Sequence, residues 1–407
     1  MSEPSSPPTE HSTRRPRVAL VGANGYARVH LNHLNAFHAQ GRLEFVAIVD
    51  VPAGSFDPAN QGAPGPSVEV LADFDALLGA LDRLRIDLCI VPTPIHLHTR
   101  MTVALLKAGV NVLVEKPLAP TQADAEAIIE AARTSGRFVA VGFQYFHAPE
   151  VVALKQRLAA GDIGTLKRIV VHGAWPRSHS YYARNAWAGH LSVGPDPVLD
   201  SPVSNAMAHF VMLMLFLTEP ETGRGPDPLL RSAELYRAQL IQSFDTAVMS
   251  LEGANGVHMD FYGSHSTEHI TRPSLRIEGD RGFAEWVQDS HAELRTGALR
   301  WRMAASDESV TRERMLGDVV ARCNGTDAFV CDPERAARHV RIVESLHAWV
   351  PIHTLPGEAL ATRTEGQETF TYVPGLDDWL LAASQQGLSL ADAGAPWAAP
   401  RTFSAAP

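Results

Sequence analysis

Apolar positions along the 407 residues follow two rhythms. In the first part, short apolar runs at 18–21, 44–50, 88–91, 110–114 and 138–141 alternate with amphipathic stretches such as 26–39, 99–108 and 121–134. Strand-length runs separated by helix-period segments predict a parallel sheet with helices on both faces and right-handed crossovers. Near Phe143 the rhythm changes. After a helical stretch at 150–160, longer strand-like pieces at 166–174, 233–243, 246–252, 257–262 and 274–278 follow without helices between them. That pattern predicts a large, mainly antiparallel sheet in a second, α+β domain.

The apolar run 210–217 is too short to span a bilayer and reads as a buried helix. Beyond Trp349 the chain is punctuated by Pro and Gly, with a late helical stretch at 376–386, and is expected to wrap back on the fold. The expected division is a disordered tail at 1–16, an α/β domain of doubly wound parallel sheet at 17–143, an α+β domain for substrate and oligomerisation at 144–350, and an extension at 351–407.

Composition narrows the partners. A net charge of −10 and no run of Lys and Arg interleaved with aromatics argue against nucleic acid. Three cysteines, Cys89, Cys323 and Cys331, have no metal-ligand spacing and suit a reducing compartment. Arg14 and Arg15 resemble a twin-arginine export signal, but strand-like residues and then Gly22 follow directly, so a cytoplasmic protein is expected. A small-molecule function is the default, with no membrane partner.

The first apolar run ends in Gly22-Ala23-Asn24-Gly25-Tyr26-Ala27, a glycine-rich turn that opens a helix, and the second run ends at Asp50. Strand, glycine turn, helix and strand-terminal acid make a dinucleotide-binding unit of the Rossmann type. In it, N–H groups at a helix N-terminus face a pyrophosphate, and the acid accepts from an adenosine ribose. Asn24 stands where the second glycine of the ideal motif belongs, so either it adopts a left-handed conformation or Gly25 supplies the clearance. A carboxylate suits a free 2′-hydroxyl and repels a 2′-phosphate, and no Lys or Arg follows Asp50 at once, so NAD is favoured over NADP. Thr93 and Pro94, with His98 just beyond, and Glu115 and Lys116 fall after later strands, at the same carboxyl edge, and join the expected cofactor-binding set.

With the glycine turn, Asp50, PTPIHLH at 92–98 and EKP at 115–117 in order, the chain resembles the Gfo/Idh/MocA oxidoreductases. The segment 142–169, ending in GDIGTLKRI, is similar to the start of that family's C-terminal domain. The resemblance implies a nicotinamide-dependent dehydrogenase acting on a sugar, cyclitol or related polyol, and a homodimer or homotetramer. It implies that Lys116 orients the reacting hydroxyl and stabilises the developing alkoxide. It also implies that His209 is the general acid/base, preceded four residues earlier by Asn205 where the family commonly has a carboxylate. Four residues on a helix put both side chains on one face. Asp200, further upstream, either supplies the missing carboxylate or caps the following helix through Ser201 and Pro202, the cap being preferred.

The segment 175–189, WPRSHSYYARNAWAG, alternates aromatic rings with Arg and Asn. Arg177, Tyr182, Arg184, Asn185 and Trp187 are therefore expected on the substrate side, with Lys116 and His209, unless the segment packs a subunit interface. His96 and His98 raise a zinc hypothesis, but no Cys or carboxylate joins them at ligand spacing and no metal is expected. Two other functions stay open: a redox-neutral enzyme that oxidises its substrate transiently on bound NAD, for elimination or epimerisation, and a non-catalytic dinucleotide or sugar sensor.

Overall fold

A computed structural model describes residues 14–49, 68–220, 223–253 and 256–399. Asp50 lies outside the described residues. The chain divides into two compact units. The first holds residues up to Glu115 together with 128–141 and 313–332, and the second holds 116–127, 142–312 and 333 onward.

In the first unit the elements run β1 (Arg17–Val21), α1 (Ala27–Ala39), β2 (Glu44–Val49), β3 (Glu69–Leu71), α2 (Phe74–Leu84), β4 (Leu88–Val91), α3 (Ile95–Lys107), β5 (Asn111–Val114), the end of α4 (Gln122–Ser135) and β6 (Val139–Val141). The strands pair in parallel in the order β3-β2-β1-β4-β5-β6, so the winding reverses between β1 and β4. The short β3 and α2 carry no clear signal in the apolar runs. Their local cues are Asp73, which accepts from the Ala76 N–H at 2.7 Å and starts α2, and Arg85, whose left-handed backbone ends it.

The core of this unit combines Val18 and Leu20 of β1, Leu31, Leu34 and Phe37 of α1, and Ile90 of β4 with Met315, Leu316, Val319 and Val320 from far down the chain. Those last four lie on one face of α8 (Glu308–Cys323). This is why residues 313–332, read from the sequence as part of the second domain, belong with the dinucleotide-type sheet: the apolar stripe of an amphipathic helix is buried wherever it finds a matching face.

The second unit continues with α5 (Pro149–Ala159), β7 (Leu166–Ala174), α6 (His179–Ala183), the short pair β8 (Ser192–Val193) and β9 (Asp196–Pro197), and α7 (Ala208–Thr218). Then come β10 (Leu229–Arg237), β11 (Thr246–Glu252), β12 (His258–Ser264), β13 (Thr271–Gly279), β14 (Gly282–Val287), β15 (His291–Thr296) and β16 (Arg300–Ala304). After α9 (Pro333–Trp349) the tail supplies β17 (Ile352–Thr354), the hairpin β18 (Ala361–Glu365) and β19 (Glu368–Tyr372), and α10 (Leu376–Gln386).

Nine strands form one sheet, β16-β15-β14-β13-β7-β12-β11-β10-β17, antiparallel except at β7–β12 and β10–β17. On one face α7 packs against β7 and β13 and α5 against β15. Every residue from Ala208 to Leu217 is buried, as the unbroken apolar run requires.

The other face of β7, β10, β11 and β12 is covered by the chain's own tail. Val170, Tyr236, Val248 and Tyr262 of the sheet pack with Leu355, Val373, Leu376, Leu380, Ala383 and Leu390. Polar contacts fasten this cover: the Tyr262 hydroxyl donates to Leu388 O at 2.9 Å, and the Leu390 N–H donates to Glu234 at 2.8 Å. Fully burying a leucine such as Leu376 or Leu380 contributes roughly 2 kcal/mol. Over these four strands the tail thus takes the place of solvent on the sheet face.

Candidate active site

In the first unit, the turn after β1 settles how Asn24 is accommodated. Gly22 and Gly25 have positive φ of 93° and 58°, and Asn24 is not among the residues with positive φ, so Gly25 takes the left-handed position. A side chain built on Gly25 would meet nothing within 4 Å, and the first turn of α1 holds no acid. Open space beside glycine backbone, at a helix N-terminus without negative charge, fits the pyrophosphate of a dinucleotide. Tyr26 and Ala27 lead into α1 from that turn, Tyr26 exposed and Ala27 buried.

Pro94 is the N-cap of α3, and the His98 ring nitrogen Nε2 lies 2.8 Å from Thr93 O, so His98 holds the strand-to-helix turn that presents Thr93. Glu115 hydrogen-bonds through Oε1 to His30 Nε2 at 2.8 Å, both residues buried, and so ties the end of β5 to α1. His30 had no signal beyond its place on the inner face of α1. The one group of His and acidic residues with metal-like spacing among the described residues is Glu285, His291 and Glu293, on β14 and β15, and His96 and His98 are not part of it.

In the second unit, Lys116 and the segment 200–209 come together. Lys116 Nζ donates to both Asn205 O and Asn205 Oδ1 at 2.9 Å. Asn205 Nδ2 donates to Asp200 Oδ1 at 2.9 Å, and Asp200 Oδ2 accepts the Gly189 N–H at 2.6 Å. An amide has one acceptor end and one donor end, so Asn205 can join an ammonium to a carboxylate only in this orientation. Asp200 is 3% exposed. Burial raises its pKa, against the Gly189 and Asn205 hydrogen bonds and the charges of Arg184 and Lys116. The preferred reading of Asp200 as a helix cap is corrected: Ser201 caps the following helix in a reciprocal box with Ser204, and Asp200 is left to Asn205.

The expectation that Asn205 and His209 share one helical face is also corrected. Residues 202–206 form a π-helical turn, with Met207 N–H bonded to Pro202 O, and the α-helix begins only at Ala208. Such turns concentrate at functional sites because they re-aim side chains and carbonyls; here the turn delivers two Asn205 oxygens to Lys116. Leu199, just before, has φ 53°, an uncommon conformation for a branched residue, held by N–H bonds from Val198, Leu199 and Asp200 to 190–191. Conformations of this kind typically cost on the order of 1–3 kcal/mol and persist where surroundings over-determine them.

His209 lies in the first turn of α7 and is 9% exposed. Phe143 and Tyr145 meet its ring edge-on, with centroids at 5.7 and 5.4 Å. Burial drives its pKa well below the usual histidine value, helped by the Lys116, Arg312 and His339 charges. The imidazole is therefore neutral at physiological pH, and its Nδ1 has no hydrogen-bond partner among the described residues. His339 sits behind, bonded to Val203 O at 2.8 Å, its pKa pushed by burial to about 4. Tyr145, which accepts from Gln288 at 2.8 Å, is a neighbour of His209 that no sequence motif indicated.

The aromatic segment packs as a stack. Arg177 lies 4.6 Å and Arg184 3.6 Å from the Tyr181 ring centroid, and Arg184 also lies 5.1 Å from Trp187. Tyr182 Oη lies 3.4 Å from His265 Nδ1. The Asn185 side chain is engaged locally, accepting the Trp187 and Ala188 N–H groups at 3.1 and 2.8 Å. His265, directly after β12, was missed because a lone histidine past a strand carries no pattern.

Residues 16–143 match the oxidoreductase family described as having an NAD-binding Rossmann fold. The chain is 30% identical over 282 residues to an inositol 2-dehydrogenase of Saccharopolyspora erythraea, covering 69% of this chain and 77% of the relative. It is 27% identical over 347 residues to dTDP-3,4-didehydro-2,6-dideoxy-alpha-D-glucose 3-reductase of Streptomyces violaceoruber, covering 81% and 98%. Among solved structures, a 3-ketoreductase from Actinomadura kijaniata in complex with NADP and TDP-benzene superposes with TM-score 0.66 at 18% identity, over 84% of this chain and all of that one. An inositol dehydrogenase homologue from Azotobacter vinelandii complexed with NADH and myo-inositol gives TM-score 0.66 at 18% identity, over 82% and 95%. With the glycine turn, the parallel sheet and the mixed second sheet all in place, the chain belongs to the Gfo/Idh/MocA family of nicotinamide-dependent oxidoreductases.

Proposed function

We propose that the protein interconverts a secondary alcohol and a ketone on a sugar, cyclitol or related polyol, with NAD as cofactor and NADP the lesser one. The named activities of the inositol dehydrogenase and sugar 3-reductase relatives support this substrate class. Gly22, Asn24, Gly25, Tyr26 and Ala27 would hold the dinucleotide, which, when bound, supplies the hydride acceptor or donor.

The observation that carries the reading is the line Asp200–Asn205–Lys116 beside a neutral His209. Lys116, steered by two Asn205 oxygens, polarises the substrate oxygen and stabilises it as it becomes an alkoxide. His209, neutral because it is buried among cations, takes the hydroxyl proton in oxidation and returns it in reduction. Asp200 supplies, one amide away, the negative charge that Asn205 cannot hold.

The test is NADH absorbance over a panel of sugars and inositols, with Lys116→Met alongside. The substitution is expected to lower kcat/KM by about 100-fold or more while NAD affinity is retained. No hydride transfer with any polyol despite bound NAD, or full activity in the variant, would sink the proposal.

A further inference from the structure

Two arginines of the aromatic segment have no carboxylate partner among the described residues, and one of them, Arg184, donates to Tyr181 O. Arg335 and Arg338, for comparison, both reach the buried Glu219, at 3.0 and 2.9 Å. Arg177 and Arg184 both lie against the Tyr181 ring, and neither forms an ion pair with a carboxylate among the described residues. Arg177 Nε is buried without a hydrogen-bond partner, and so is Nε2 of His265, a residue 3% exposed. Tyr182 Oη lies 3.4 Å from His265 Nδ1, and in the tautomer whose Nδ1 accepts there, the ring proton sits on Nε2 and adds a third donor. The fields of Arg177 and Arg184 join burial in keeping His265 uncharged.

Cations gathered at one ring with no carboxylate bonded to them, beside unfilled donors, are arranged for an oxyanion, and planar guanidinium forks match carboxylate or phosphate in bidentate geometry. The acid whose field reaches Arg184 is Asp200, and its oxygens already serve Gly189 and Asn205. Asp200 also feels Lys116, and Trp175, against which Arg177 lies, packs at 5.4 Å on Phe210, the residue after His209. The donors therefore adjoin the reacting groups.

We propose that Arg177, Arg184 and His265 form an oxyanion subsite, and that the substrate carries an anionic group, carboxylate or phosphate, in addition to the hydroxyl handled by Lys116 and His209. The subsite rests on the reading of those two residues as the reacting end. The tail sets its geometry: Ser178 bridges to Phe370, His179 Nε2 lies 2.9 Å from Thr371 Oγ1, and Ser180 donates to Glu368, so the β18–β19 hairpin holds the segment that carries both arginines.

The experiment compares glucose, glucuronate, glucose 6-phosphate and UDP-glucose by NAD-linked turnover and by calorimetry, in the wild type and in Arg177→Met, Arg184→Met and the two Lys variants. NAD binding and circular dichroism confirm folding of each variant. At least one anionic compound is expected to bind about 10-fold or more tighter than glucose, with the preference lost in the Met variants and partly kept with Lys. Preference for glucuronate identifies a carboxylate, and preference for the other two a phosphate; either supports the subsite. Equal binding of all four compounds, binding of none, or a preference that survives both Met variants overturns it. Hydride transfer without any preference for an anion sinks the subsite alone. An arginine-dependent preference in calorimetry without hydride transfer sinks the reaction and leaves the subsite standing.

Discussion

Position 205 shows what a single side chain can and cannot carry. Asparagine holds no charge, yet with Lys116 on its oxygen and Asp200 on its nitrogen it transmits the field of one to the other. Replacing Asp200 with Asn keeps the shape and removes the charge. A charge-assisted hydrogen bond contributes about 1.5–3 kcal/mol, so Asp200→Asn is expected to lower kcat by about 10- to 100-fold with a smaller change in KM. Steady-state kinetics across pH check this; a variant with unchanged kcat would make Asp200 a purely structural residue. Legibility differed sharply among residues. Lys116 stood out because its motif is contiguous, and Asp200 was in view with two readings that only its hydrogen bonds separate, whereas His265 and Tyr145 are brought in by chain segments that only folding places together.

At the scale of elements, most strands and helices followed from periodicity, and those that did not were short or interrupted. β7, β11 and α10 coincide with their apolar runs at 166–174, 246–252 and 376–386. β14 to β16 were missed, because alternating Glu, Arg and His on their outer face break the apolar count. The tail was expected to wrap back, but that it covers the sheet is a tertiary fact. Deleting residues 357–407 would uncover Tyr236, Val248 and Tyr262, an apolar patch of the sort that drives association. The truncated chain is expected to elute as larger species and to melt at lower temperature; unchanged elution and melting would show that the tail is dispensable.

For the whole molecule, buried histidines set the acid limit of stability. His209, His265 and His339 all have pKa values lowered by burial in the folded state. Above their ordinary value near 6.5 both states are neutral and nothing is lost. Below it the unfolded chain takes up protons that the folded chain refuses, so stability falls as pH drops. For His339, whose folded value is about 4, the cost reaches on the order of 3 kcal/mol at pH 4. Asp245 opposes this: burial raises it to about 6, which costs stability near neutrality and relieves it on acidification toward the ordinary carboxylate value. His172 and His347 are lowered by burial too and Asp200 is raised like Asp245, so five such histidines against two such aspartates leave a net loss. The melting temperature is expected to fall between pH 6.5 and 4, and His339→Gln, which can still donate to Val203 O, to flatten that slope. An equally steep slope in the variant would remove His339 from the account.

The sequence alone determined the fold class and the family, because hydrophobic period and contiguous motifs such as the glycine turn and EKP are local: each is written in neighbouring residues and survives reading one stretch at a time. What only the tertiary structure decided is non-local. Asp200 reaching Lys116 through Asn205, α8 lending its apolar face to the first sheet, and the tail covering the second sheet all depend on which surfaces meet. Burial and hydrogen-bond satisfaction are properties of the packed chain, not of any segment of it.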